Sequence, residues 1–294
     1  MPRKTILFLI AFLLTAPISG HSQEKRIGRD LLNFRYLYNP PSTVSSSEIP
    51  DDFRISTQSY RFSGAIPYYV KDTKTVFING LTYSLLRASF NEDYAGEIDP
   101  IDLHMLQYRI NVVQMLPKKW NVAFLLTPTL ASDFEGLSFR DLRANSGVLF
   151  GYRILDNMNA QLGVVYTSNF GEDLIIPTFG LQYGSEKLRV RIVAPAIAEF
   201  WYIPRDIIEI GLSARLEGGQ YNIHGDSTDA DYVKLSFGNA GPALRLYPYK
   251  GFYLQAWSGM TLYGKIETYK NNVRKYDFSP DPNWFASVAL GYGY

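Results

Sequence analysis

The segment IIEIGLSARLEGG sets Ile208, Ile210, Leu212, Ala214 and Leu216 on one parity and Glu209, Ser213, Arg215 and Glu217 on the other. Period two is the signature of a strand. The same division recurs along the chain. Leu106, Tyr108, Ile110 and Val112 oppose Gln107, Arg109 and Asn111; Val148, Phe150, Tyr152 and Ile154 oppose Asn145 and Arg153; Leu188, Val190 and Ile192 oppose Arg189 and Arg191. Near the end, Phe252, Leu254, Ala256, Met260, Leu262 and Ile266 oppose Gln255, Thr261, Lys265 and Glu267. Several runs exceed the ~10 residues with which a tilted strand crosses hydrocarbon, and they carry charge in mid-strand. That combination constrains the fold to a cylinder with its apolar face outward in lipid and its ionic face inward.

Counting runs predicts an all-β chain, a transmembrane antiparallel up-and-down β-barrel. Strands fall near 31 to 38, 52 to 69, 75 to 90, 101 to 116, 120 to 131, 143 to 155, 158 to 168, 175 to 184, 187 to 194, 196 to 203, 207 to 223, 230 to 247, 251 to 269 and 283 to 294. That is 14 strands; 12 remain if the first strand and the pair around Ala194 and Pro195 fail, since proline cannot donate to a ladder. Short connections (KDTK, PKK, LDNM, GSEK, IPRD, PYKG) alternate with longer polar ones (NEDYAGEIDP, SDFEGLSFRD, HGDSTDAD, KNNVRKYDFSPDP), as in barrels with short turns on one side and loops on the other. Phase slips at Gly80 and across Gly238 to Gly241 are expected to be bulges. Trp120, Trp201, Tyr202, Tyr247, Tyr249, Tyr253, Tyr292 and Tyr294 lie near the short turns and are expected to form an aromatic girdle.

Composition enters where it excludes something. The 22 Tyr, 18 Phe and 23 Gly suit girdled, bulged strands. A net charge of +1 gives no basic surplus for a nucleic-acid partner, and zero cysteines remove disulfides, thiolate metal sites and lipoprotein anchoring. At the N-terminus, Arg3 and Lys4 precede ILFLIAFLLTA and then PISGHSQ, which predicts a signal peptide over 1–22, cut after Ser22, and a barrel domain over 23–294.

With a signal peptide, alternating strands and a closing strand ending in an aromatic, the chain resembles Gram-negative outer-membrane β-barrels. The final ALGYGY resembles the signal by which the barrel-assembly machinery recognises such proteins, with Leu290, Tyr292 and Tyr294 on one face. Cleavage before Gln23 and the segment LRVRIVAPAIAEFWYIPRDIIEIGLSARLEGGQY resemble an uncharacterised Bacteroidota outer-membrane barrel family known by a domain-of-unknown-function label. The resemblance implies a bacterial outer-membrane location with both termini periplasmic, outer-membrane lipid and lipopolysaccharide as surroundings, and a monomer.

The candidate site is the lumen: Arg109, Arg153, Arg189, Arg191, Glu199, Glu209, Arg215, Glu217, Arg245, Lys265 and Glu267, with Arg143 beyond them. Such a set is either a conduction path with mild anion preference or a wall-stiffening network of arginine–carboxylate pairs. No metal site, cofactor or catalytic set is expected. GMTLYGK (Gly259 to Lys265) has phosphate-loop spacing but lies in a strand with no following helix. His104 and His224 have no recognisable nucleophile, and the acidic loop with Asp226, Asp229 and Asp231 departs from calcium-loop spacing. A passive channel for small hydrophilic solutes ranks first, ahead of a non-conducting structural or binding barrel and a lipid-modifying enzyme.

Overall fold

The computed structural model describes residues 30–45, 53–90, 101–170, 172–225 and 230–293. The expected signal peptide, Tyr294, Asp226 and Asp229 lie outside them. The strands are β1 (Asp30–Ser45), β2 (Arg54–Val70), β3 (Thr75–Phe90), β4 (Ile101–Met115), β5 (Trp120–Ser132), β6 (Leu142–Leu155), β7 (Met158–Thr167), β8 (Leu174–Gly184), β9 (Leu188–Ala194), β10 (Ile197–Arg205), β11 (Ile208–Asn222), β12 (Tyr232–Tyr249), β13 (Phe252–Lys270), β14 (Val273–Pro280) and β15 (Asn283–Gly293). Among the described residues one 3₁₀ turn, Phe139–Asp141, interrupts them.

Each strand from β1 to β13 pairs antiparallel with the next, and β15 joins β13 to β1, so the sheet closes. β14 lies above β15 in the same wall position, pairing with the upper part of β13 through Ile266↔Phe278 and meeting β1 through Val44↔Pro280. The barrel therefore has 14 wall positions, the preferred count. KNNVRKYDFSPDP is not the open loop that its polarity suggests. Asn271 and Asn272 both take positive φ, 51° and 62°, the conformation of a tight hairpin turn, and the chain returns at once as β14. Asp30 pairs with Gly293, so the described chain ends meet at the short-turn end.

The apolar parity faces outward. Phe62, Leu81, Phe124, Phe150, Leu162, Leu212, Leu254 and Val288 are all exposed, a continuous greasy belt that a water-soluble chain would not present. The lipid-facing reading of the alternation follows from this. The aromatic girdle is split, however. Trp120, Tyr202 and Tyr249 face outward, whereas Trp201 and Tyr253 are buried inside and the Tyr247 hydroxyl donates to lumenal Glu209 at 3.1 Å. These three fall on the inward parity of their strands, which overrides their height.

Two register details differ from expectation. β3 runs through Gly80 with unbroken pairing on both sides, so Val76 and Ile78 stay on the inward parity near the short-turn rim. The interruption near Gly238 is real but lies in the partner strand: Gly238 pairs Tyr263 and Asn239 pairs Thr261, leaving Leu262 as the extra residue in β13. A one-residue insertion turns every later side chain to the opposite face.

At the loop end the wall folds inward. β5 and β11, which stand far apart around the wall, touch through the parallel pair Asn222↔Ser132. Under this bridge lies an apolar cluster including Val44, Phe53, Ile55, Leu103, Met105, Tyr221, Val233, Ile266 and Phe278. The loop after β5 is fastened over it. Asp133 accepts the amides of His224 and Gly225 at 2.7 and 2.9 Å. Asp141, wholly buried, accepts Ser138 N–H (2.7 Å), Asn222 Nδ2–H (2.8 Å) and the His224 ring at 2.9 Å.

Candidate functional site: a half-filled, arginine-lined lumen

Register places Arg35, Arg61, Arg109, Arg189, Arg191, Arg215 and Arg245 on the inner face, together with Glu199, Glu209 and Glu217. Arginines outnumber carboxylates, so the pairing network cannot neutralise them all.

One side of the interior is packed. Arg35 and Arg61 sit directly opposite each other on β1 and β2, and both reach across the lumen to Glu217 of β11. Arg35 Nη2 donates to both carboxylate oxygens at 2.8 and 2.6 Å, and Arg61 Nη1 adds a bond at 3.1 Å. Arg215 pairs with Glu199 at 2.6 Å. Glu209 is clamped between Arg189 (3.1 Å) and Arg245 (3.3 Å), and Arg245 also donates to Gln255 at 2.7 Å. The Arg245 guanidinium lies 4.6 Å from the Trp201 ring and 4.7 Å from the Tyr253 ring, a stacked cation in a dry setting. Beside it Leu37, Trp201, Ala243, Trp257 and Phe285 fill the space between β10 and β1. Low dielectric requires such charges to be paired, and each of these guanidiniums has a carboxylate partner, although Arg35 Nη1 and Arg215 Nε are buried without a hydrogen bond among the described residues.

The other side is wet. Arg109 of β4 and Arg191 of β9 are exposed to water inside the barrel, and neither forms an ion pair among the described residues. Arg191 stands opposite Glu199 in register, yet that carboxylate is bonded to Arg215. Arg109 and Arg191 thus stand on well-separated wall strands, each without a salt bridge among the described residues, Arg191 with Glu199 as its cross-strand neighbour.

The other residues expected in the lumen lie elsewhere. Arg153 is exposed at the short-turn rim, where its amide bonds Lys119 O. Arg143 lies at the loop end, 3.8 Å from Asp173. Lys265 and Glu267 are bonded to each other at 2.9 Å on the opposite face of the wall, because the Leu262 insertion precedes them. Of the closing-strand residues, Leu290 is exposed on the outer face, and Tyr292 lies with its ring centroid 4.8 Å from that of Phe252. Alternation alone does not single out Arg35, Trp257 or Phe285 as lumenal; Arg61 shares parity with Ser59 and Ser63 and is findable on that ground.

Among the described residues neither histidine is hydrogen-bonded to a serine or threonine hydroxyl. His104 bonds the Tyr83 hydroxyl at 2.8 Å and stacks on Phe134, while the Ser138 hydroxyl and His224 both bond Asp141 rather than each other. Among the described residues no cluster of His, Asp or Glu could hold a metal ion.

A second feature lies at the loop end. A cavity of about 600 Å³ is lined by Phe170, Glu172, Leu174, Ile176, Pro195, Leu216, Lys234, Ser236, Tyr263, Lys265 and Glu267, among others. Leu174 and Ile176 belong to the inward parity of β8, whereas Leu216, Lys234 and Lys265 belong to the outward parity of β11 to β13. One cavity can have both as walls only because the outer halves of β11 to β13 have crossed the mouth to meet β5. The back of these strands then faces the inside of β8. Gly218 marks the contact: a Cβ there would lie 3.0 Å from the Asn169 carbonyl of the β7–β8 loop.

A family model described as a domain of unknown function, DUF6268, matches residues 38–293, which takes in β2 to β15 and the second half of β1. The chain belongs to this family. No curated protein matches it. Among solved structures it is similar to an outer-membrane channel from Pseudomonas putida F1, with a TM-score of 0.47 and 10% identity over 95% of this chain and 100% of that one. A mutant of the TodX monoaromatic hydrocarbon channel gives a TM-score of 0.45 and 11% identity over 90% and 91%. The NanC porin gives 0.33 and 8% over 89% and 98%.

Proposed function

We propose that the protein is an outer-membrane channel for small hydrophilic solutes in which anions are favoured. The observation that carries this reading is the pair of water-exposed arginines without carboxylate partners, Arg109 and Arg191, on the unfilled side of the lumen. A barrel stiffened only by ion pairs has no use for unpaired guanidiniums; a passage for anions does. In this reading the barrel sits in the bacterial outer membrane as a monomer, among lipid and lipopolysaccharide. The short turns and both termini are periplasmic, the barrel-assembly machinery inserts it, and it has no catalytic role.

The second reading, a non-conducting structural or binding barrel, is favoured by the apolar cluster across the loop end. Single-channel recording in planar bilayers separates the two. Discrete conductance steps, with a reversal potential in a potassium chloride gradient on the chloride side of zero, are the expected result. Folded protein that inserts and gives no steps overturns the channel.

A further inference from the structure

The apolar cluster lies across the loop end, and the wall beside it is low. β9 has only 7 residues, fewer than the ~9–11 that a tilted strand needs to cross the apolar layer. β11 and β12, next along the wall after β10, have 15 and 18. The β9–β10 hairpin therefore turns low in the wall, at Pro195, which is among the residues lining the 600 Å³ cavity. The volume is that of a site for a small organic molecule. Below the tip, the same inner faces of β8 and β9 lead down to Arg191.

The lining combines apolar side chains with two lysines, Lys234 and Lys265, and two carboxylates, Glu172 and Glu267. Phe170, Leu174, Ile176, Pro195 and Leu216 supply apolar surface. Of the two lysines, Lys265 is held by Glu267 at 2.9 Å. Lys234 stands across from Glu267 in register, but that carboxylate is bonded to Lys265 and Arg274, so Lys234 forms no salt bridge among the described residues and its ammonium rests 4.6 Å from the Tyr269 ring. A cation kept on aromatic faces beside an apolar cleft can exchange that contact for a carboxylate at little cost.

We propose that this groove is a lateral entrance and binding site for amphiphiles that carry an apolar body and a carboxylate and arrive from the outer leaflet of the membrane. Lys234 takes the acidic group while the chain lies along β8 and Leu216. Its role as an entrance rests on the channel reading above; its capacity to bind does not.

The test uses decanoate titrated into the full-length barrel folded in non-ionic detergent, with decanol and decyltrimethylammonium as comparisons. Decanoate is expected to bind more tightly than either. Lys234→Gln should weaken it about tenfold, the value of one charge-assisted hydrogen bond, and Lys234→Arg should restore it. Because the chain has no cysteine, Leu216→Cys can be loaded with a bulky thiol reagent, which should abolish binding; the same reagent on Leu212→Cys, on the lipid face lower in β11, should not. Equal binding by all these forms, or no preference for the carboxylate, overturns the site. In planar bilayers the reagent on the Leu216→Cys variant should remove most of the conductance. Conductance that persists unchanged overturns the entrance while the channel stands. If the unmodified protein never conducts, the channel reading fails and the decanoate titration alone decides the groove.

Discussion

The two sides of the lumen use the same residue type in opposite ways. Between β10 and β1 the arginines serve structure: Arg35, Arg215 and Arg245 are bound to carboxylates, and the last two are covered by tryptophan or tyrosine rings. On the β4 and β9 walls Arg109 and Arg191 are exposed and form no ion pair among the described residues. Burial decides which role a guanidinium plays. Where aromatic bulk excludes water, an unpaired charge would be prohibitively costly, and pairing follows; where water enters, the charge is left available for a solute.

Removing a carboxylate from the packed side should have the largest effect. Glu217→Gln leaves Arg35 and Arg61 facing each other in register with no counter-charge. A loss of about 3–5 kcal/mol is expected, measured as a lowered urea midpoint of the folded barrel. Phe285→Ala comes next: the ring is fully buried, 4.6 Å from Trp257, and its truncation should cost about 3 kcal/mol in the same titration. A wild-type midpoint in either variant would show that the packed side does not hold the barrel together.

A smaller effect is expected at the loop end. Burial pushes the Asp141 carboxyl up, but the Ser138 amide, Asn222 and His224 together hold it below its usual value. A carboxyl depressed in the folded state contributes stability above the ordinary carboxylate range. That contribution is lost as pH falls through the folded value. Below about pH 4 the loop carrying Phe139 to Asp141 should loosen, read as faster amide exchange there. Asp141→Asn should give the same loosening at neutral pH, worth about 1–2 kcal/mol locally. Exchange that does not change with pH would remove Asp141 as the fastening.

The smallest effect on stability belongs to the wet side. Arg109→Gln and Arg191→Gln together should change the folding free energy by no more than about 0.5 kcal/mol, read from the urea midpoint, because neither side chain has an ion-pair partner to lose. If the pair proves strongly destabilising, the contrast between the two sides fails.

Much of the barrel is legible because period-two patterning is local. The alternation in Ile208 to Glu217 or Leu106 to Asn111 needs no knowledge of the neighbours to announce a strand and its two faces. What escapes is set by pairing. The extra residue at Leu262 is visible only against Gly238 and Asn239 of the partner strand, and it carries Lys265 and Glu267 out of the lumen. Trp201 and Tyr253 stand at the right height for a girdle, but parity puts them inside. The contact of β5 with β11 is between distant wall positions, which no stretch of sequence encodes by itself. The Asn271–Asn272 turn is readable in hindsight, since that residue type tolerates positive φ.

The central claim is that the unpaired arginines of the wet side make the passage attractive to anions. The most direct test is the reversal potential in a potassium chloride gradient, recorded for the wild type and for the Arg109→Gln/Arg191→Gln double variant. The account predicts chloride preference in the wild type, with a shift toward zero in the variant at retained conductance. A potential identical in both proteins, or cation preference in the wild type, would contradict it.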